Sequence, residues 1–129
     1  SGAIVVSTPQ EVALVDVRRA INMFKRVNVN IIGIIENMSY FMSEGKKVFV
    51  FGKNRVKKES STQKIRLLAQ IPLSQDISEY SDKGIPFLIK ESNESELNVI
   101  FDKLCDEVIL SLNKSNEGQT DDVKIEIED

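Results

Sequence analysis

Ile31-Ile32-Gly33-Ile34-Ile35-Glu36-Asn37-Met38-Ser39-Tyr40-Phe41 is the stretch whose reading decides the fold. Four isoleucines around one glycine, with no polar alternation, read as a strand covered on both faces, as in a parallel sheet. The run then turns polar, so Asn37 falls at the strand's carboxyl end. In an open α/β sheet, ligands bind outside that end.

Upstream, Ala3 to Ser7 is a second short apolar run without alternation, again expected as a buried strand. Thr8-Pro9-Gln10-Glu11 fits a helix start: a capping hydroxyl, proline at the first helical position and Glu three residues after the cap. From there Ala13, Val17, Ala20, Ile21, Phe24 and Val27 recur at helical spacing, which predicts an amphipathic helix on the sheet. Asp16 is expected half-buried or buried and structural, with Arg19 a possible partner. Asn28-Val29-Asn30 returns the chain, and strand, helix and strand make a right-handed β-α-β unit.

Downstream, Val48-Phe49-Val50-Phe51 reads as a third apolar run, with Ser39–Phe51 as a hairpin excursion. Asn54–Lys64 reads as a polar helix, Leu67–Ile71 as a buried strand ended by Pro72, and Asp76–Lys83 as a short helix closed by Gly84. Glu94–Asn113 carries Leu97, Ile100, Phe101, Leu104, Val108 and Leu112 on one stripe and reads as a longer helix. Residues 1–113 therefore make the domain. Residues 114–129, acidic and without periodicity, are expected to be disordered.

Composition narrows the chemistry. The 129 residues are 41% hydrophobic and 29% charged, which suits one globular domain. There is no histidine, so the usual neutral-pH base and the commonest zinc ligand are missing, and no catalytic or metal-binding residue is assigned. One cysteine, Cys105, excludes an internal disulfide. It falls on the apolar stripe, where a thiol acts as a small hydrophobe. No apolar run is long enough to span a membrane and no signal peptide is evident, which predicts a cytoplasmic protein. The net charge of −3 conceals a basic segment, residues 42–66 at +6, and an acidic end, residues 115–129 at −5. Only Phe49 and Phe51 interleave with the basic residues, so nucleic acid is not expected. The acidic end argues against a membrane-binding helix.

The blocks Gly2-Ala3-Ile4-Val5-Val6-Ser7-Thr8-Pro9-Gln10-Glu11-Val12-Ala13-Leu14-Val15-Asp16, Gly33 to Phe41, and Gln70-Ile71-Pro72-Leu73, in this order, resemble the second half of the Mrp/Ind-type P-loop ATPases of the MinD/ParA class. The likeness covers roughly residues 2 to 112. It implies a partial doubly wound, mostly parallel α/β sheet with flanking helices, the C-terminal half of a MinD-like domain. No G-x-x-x-x-G-K-[ST] run occurs and the chain opens without Met, so it is read as a fragment that is inactive by itself. ATP and Mg²⁺ would then belong to the parent protein, with the missing N-terminal half of the same protein as a partner.

The resemblance also implies residue roles. The family's matching asparagine contacts adenine, which assigns Asn37 to the base, where its amide offers both a donor and an acceptor. Pro72 and Leu73 would line the same base pocket. Thr8 lies toward the phosphate end, although helix capping accounts for it without a ligand. Many relatives carry Cys-x-x-Cys after this block to share a cluster across a homodimer. This chain has Met42-Ser43-Glu44-Gly45-Lys46-Lys47 there, which leaves an iron–sulfur cluster doubtful. The implied function is the adenine side of an ATP-binding carrier in iron–sulfur cluster assembly, with apoproteins as recipients. The alternative is a non-catalytic scaffold that binds a partner protein through its basic hairpin.

Overall fold

The structure, a computed structural model, describes residues 1–87 and 96–128, and of residues beyond Lys114 the backbone alone. Its elements are β1 (Ala3–Ser7), α1 (Glu11–Arg26), β2 (Ile31–Glu36), β3 (Phe41–Ser43), β4 (Lys46–Val48), α2 (Arg55–Gln63), β5 (Leu67–Gln70), α3 (Gln75–Asp82) and α4 (Glu96–Glu128). Strands β1, β2 and β5 form one parallel sheet in the order β1-β2-β5, and β3 and β4 form a separate antiparallel hairpin.

The isoleucine-rich strand takes the central place because only there are both faces covered. Ile34 joins Val5, Leu14, Val17, Ile21 and Val56 in a core under α1 and α2. Ile32 and Ile35 join Leu68, Ile71 and Leu104 in a second core under α4. Ile21, Ile34 and Val56 are completely buried, each contributing roughly 1.5–3 kcal/mol of apolar transfer. Gly33 lets β5 come close: a Cβ there would lie 2.9 Å from the Arg66 carbonyl oxygen and 2.7 Å from Leu68 Cδ1.

Several expectations need correction. Helix α1 begins at Glu11 with Gln10 as its cap residue, not at Thr8, and the Thr8 hydroxyl donates instead to Gln10 Oε1 at 3.3 Å. Pro9 is fully buried ahead of the helix, so packing rather than helix initiation fixes it. Asp16 is exposed, and its ion pair with Arg19 spans 3.9 Å. The hairpin forms, but its second strand is Lys46–Val48. The apolar run that follows has left the ladder, with Val50 56% exposed. The turn falls at Glu44 and Gly45, both at positive φ, which glycine adopts at little cost.

Helix α4 also differs from expectation. Residues 94 and 95 of the expected helix lie outside the described residues. At its other end the helix does not stop at Asn113 but runs on to Glu128. Residues 115–128 hold no proline to interrupt the helix.

Candidate functional site

At the carboxyl end of the sheet the hydrogen-bond ladder does not stop with the strands. The Asn37 N–H donates to the Ser7 carbonyl at 2.7 Å, the Ile71 N–H to the Glu36 carbonyl at 2.8 Å, the Ser39 N–H to the Ile71 carbonyl at 2.9 Å, and the Leu73 N–H to the Tyr40 carbonyl at 2.7 Å. Residues 37–40 and 71–73 are thus zipped side by side. The loop after β2 and the loop after β5 become one polar rim, and Asn37, Pro72 and Leu73 lie on it.

Within that rim Asn37 is half-buried and its Oδ1 accepts the Met38 N–H at 3.0 Å. Met38 takes a positive φ of 53°, which this side-chain contact helps to hold. The Asn37 amide nitrogen, a donor, is not used in that contact. Pro72 is buried and Leu73 exposed. Thr8 follows β1 on the same end of the sheet, with its hydroxyl turned to Gln10.

Sequence reasoning passed over Glu36, which is 0% exposed. Ser7, Glu36 and Gln70 are register partners across all three strands and so form one polar row at the sheet's carboxyl edge. The Gln70 amide donates to Glu36 Oε2 at 2.7 Å, while Glu36 Oε1 and the buried Ser39 hydroxyl have no hydrogen-bond partner among the described residues. Buried acceptors left this way are costly, and they mark a place where a bound donor is favoured. The signal was legible: a carboxylate closing an all-apolar central strand is a residue that burial alone would exclude.

Two further contacts brace the site. Tyr40, buried behind the rim, donates its hydroxyl to Glu96 Oε1 at 3.0 Å, tying the first turn of α4 to the end of β2. Burial, then the hydrogen bond and charge of Glu96, push the Tyr40 phenol up to about 12. Lys47 Nζ lies 4.5 Å from the centre of the same ring. Cys105 is exposed rather than packed as a small hydrophobe. Among the described residues no group of three or more His, Cys, Asp or Glu could hold a metal ion. Among the described residues no helix is long and apolar enough to cross a membrane.

A parallel β-α-β-α-β layer with helices on both faces and a polar rim at the strands' carboxyl ends defines a doubly wound nucleotide-binding class of protein. Residues 1–109 match the family described as ParA: NUBPL iron-transfer P-loop NTPase, and the chain belongs to that family. The chain is 44% identical over 91 residues to an iron–sulfur cluster carrier protein of Aquifex aeolicus, covering 69% of this chain and 25% of that protein. It is 35% identical over 129 residues to an iron–sulfur protein required for NADH dehydrogenase, mitochondrial, of Arabidopsis thaliana, covering 98% of this chain and 41% of that protein. Among solved structures it superposes on the septum site-determining protein MinD complexed with Mg-ADP from Pyrococcus horikoshii, with a TM-score of 0.63 at 29% identity. That match covers 83% of this chain and 40% of the other.

These matches overturn four expectations. The chain is not set apart as a C-terminal half, since the family match runs from residue 1 to residue 109. The expected partial sheet is corrected to a MinD-type doubly wound organisation over 83% of the chain, with helices covering both faces of its sheet. The reading as an inactive segment supplying only one side of a site rested on the same division and falls with it. The expectation that left an iron–sulfur cluster doubtful is corrected as well, since the relatives at 44% and 35% identity are named an iron–sulfur cluster carrier protein and an iron–sulfur protein. The chain spans about a quarter to two-fifths of the length of these relatives.

Proposed function

We propose that this protein is an ATP-binding iron–sulfur cluster carrier, with Asn37, Pro72 and Leu73 at the base side of its nucleotide site and the cluster as cargo. The observation that carries the reading is the ladder continuing past β2 and β5, which brings these three residues onto one rim. The rim fits a purine: the Asn37 amide nitrogen can donate to a ring nitrogen, and the unpaired oxygens of Glu36 and Ser39 mark a polar interior beside it. No residue of this chain is assigned to the triphosphate or to Mg²⁺. Family membership and the Mg-ADP bound to the similar MinD support the nucleotide. The names of the relatives support the cargo. A homodimer, iron–sulfur apoproteins as recipients, and a reducing compartment such as the cytoplasm, where a free thiol persists, complete the proposal.

The test is amide chemical-shift mapping of the chain titrated with AMP and, separately, GMP. The expected result is saturable shifts centred on Asn37, Ser39, Ile71 and Leu73 with AMP, weaker with GMP, and lost in N37A. Equal shifts from both nucleotides, or shifts that survive N37A unchanged, would overturn the base-site assignment.

A further inference from the structure

Among the described residues strand β1 has a partner on one side only, since the sheet order ends with it. β5 is the opposite edge, yet none of its residues is exposed, whereas on β1 Ile4 is 36% and Val6 58% exposed. Natural sheet edges are guarded by charge, proline or a bulge. β1 has none of the three. Residues 1–10 hold no Asp, Glu, Lys or Arg, Pro9 comes after the strand, and the extra residue of the ladder between β1 and β2, Ile32, lies on β2.

The ladder also fixes which backbone groups are free. The Ala3 N–H donates to the Asn30 carbonyl at 2.8 Å, and the Ser7 carbonyl accepts the Asn37 N–H at 2.7 Å. Backbone groups alternate sides along a strand, so residues 3, 5 and 7 face β2, while Ile4 and Val6 direct their N–H and C=O to the open edge. Two such residues, two positions apart, are what an antiparallel copy of the same strand needs. With Val5 on a two-fold axis, Ile4 of each copy lies opposite Val6 of the other, and each of these pairs exchanges two backbone hydrogen bonds. Val5 then meets Val5 of the second copy as the closer, non-hydrogen-bonded pair.

The side chains suit the same symmetry. Val5 lies in the core under α1, beside a cleft of about 350 Å³ between β1 and α1 whose lining includes Val5, Ala13, Val17 and Ala20. The small Ala13 and Ala20 leave room there for a second Val5. Ile4 and Val6 point to the other face, where the core under α4 is built on β2 and β5 and takes no residue from β1. Pairing gathers Ile4 and Val6 of both copies into one apolar cluster, and no like charges are set opposite each other.

We propose that β1 is the homodimer interface: two copies join their sheets edge to edge, antiparallel, about a two-fold axis at Val5. This rests on the homodimer proposed above and locates it. The three strands of each copy become one continuous sheet with the two rims at opposite ends, so neither copy reaches the base site of the other.

Sedimentation velocity and crosslinking test it. The full 129-residue chain should dimerise, with an apparent Kd that changes less than about twofold between low salt and several hundred millimolar NaCl, because no charge lies at the contact. V6K sets an ammonium on the apolar cluster and should raise that Kd at least about tenfold with unchanged far-ultraviolet circular dichroism. Under mild copper–phenanthroline oxidation V5C/C105S should form a covalent dimer. V6C/C105S should not, because residues 6 of the two copies are offset along the strands beyond the roughly 7 Å between Cα atoms that a disulfide spans. Crosslinking at the buried position in preference to the exposed one is the signature of this register. A parent chain that stays monomeric overturns the proposal together with the homodimer. A dimer that persists in V6K, that weakens steeply with salt, or that crosslinks at residue 6 rather than 5 overturns the β1 interface alone. The AMP titration reads the base site separately, so failure there is told apart from failure here.

Discussion

The two faces of the parallel sheet are built by different means. Under α1 and α2 the core is Val5, Leu14, Val17, Ile21, Ile34 and Val56, three of them at 0% exposure. Under α4 the core is Ile32, Ile35, Leu68, Ile71 and Leu104, all at 7–9%. The first face is assembled by crossover helices close in sequence to the strands they cover. The second is closed by a helix that starts about sixty residues after β2 and is held there by polar contacts, Tyr40 to Glu96 and Arg66 to Glu107. A face closed by distant contacts can open without the other, and the proposed rim, at the end of β2, touches both.

Truncation in the two cores should expose this difference most. I34A, on the α1/α2 face, is expected to cost about 3–5 kcal/mol, and L104A, on the α4 face, about 2–3. Urea unfolding measures both. If L104A costs as much as I34A, the two faces are equally packed and the comparison fails.

G33A sits between the faces. An added Cβ meets the Arg66 carbonyl 2.9 Å away, and backbone cannot swing aside as the Leu68 side chain can. Separating β2 from β5 should cost about 1–3 kcal/mol and loosen the β5 side of the sheet, with the core under α4 most affected. Hydrogen exchange should then show faster opening of β5 and α4 while α1 stays protected.

Each face also has a charged or polar clamp. On the first, Arg18 Nε and Nη2 both donate to Glu59, at 3.0 Å each, and these bonds hold the Glu59 carboxyl below its ordinary value of 4.5 against the opposing effect of burial. A carboxyl with a lower pKa folded than unfolded adds stability that is complete above about pH 4.5 and is lost as pH falls through the folded value. E59Q should cost about 1 kcal/mol at pH 7, because Arg18 is partly exposed, and should flatten the acid limb of stability against pH. An acid limb identical in the variant would show that the clamp is screened out.

How much of this was legible follows from which residues carry their information locally. The Ile31–Glu36 strand, its partner Ala3–Ser7 and the helix between them could be read because their apolar spacing states both element and burial. The start of α1 was misplaced because Thr8 and Pro9 have the right types for a cap, while the burial of Pro9 depends on tertiary neighbours. Phe49 to Phe51 looked like a strand by composition, but strand formation needs a partner, and Val48 ends the pairing with Phe41. Of the rim, Asn37, Pro72 and Leu73 were placed by resemblance. Glu36 with Gln70, and Tyr40 with Glu96, are pairings across 34 and 56 residues that no local pattern encodes.

The smallest expected effect tests the clamp on the second face. Tyr40 is buried against the start of α4 and titrates at about 12 instead of the ordinary 10. The protonated phenol is the form the fold prefers, so its contribution is complete below pH 10 and is lost as pH rises from 10 to about 12. In a Y80F background, where Tyr40 is the one tyrosine left, the ultraviolet absorbance of the phenolate should rise with a midpoint near 12. E96Q removes the charge of Glu96, leaves an amide oxygen that can still accept from the phenol, and keeps burial, the largest cause, in place. The midpoint should therefore fall and still remain above 10. Y40F should cost only about 0.5–1.5 kcal/mol, since one hydrogen bond is lost and the ring stays packed. A midpoint of 10 in the parent background would mean that water reaches Tyr40 and that α4 does not seal this end of the sheet, leaving the face under α1 and α2 as the one closed core.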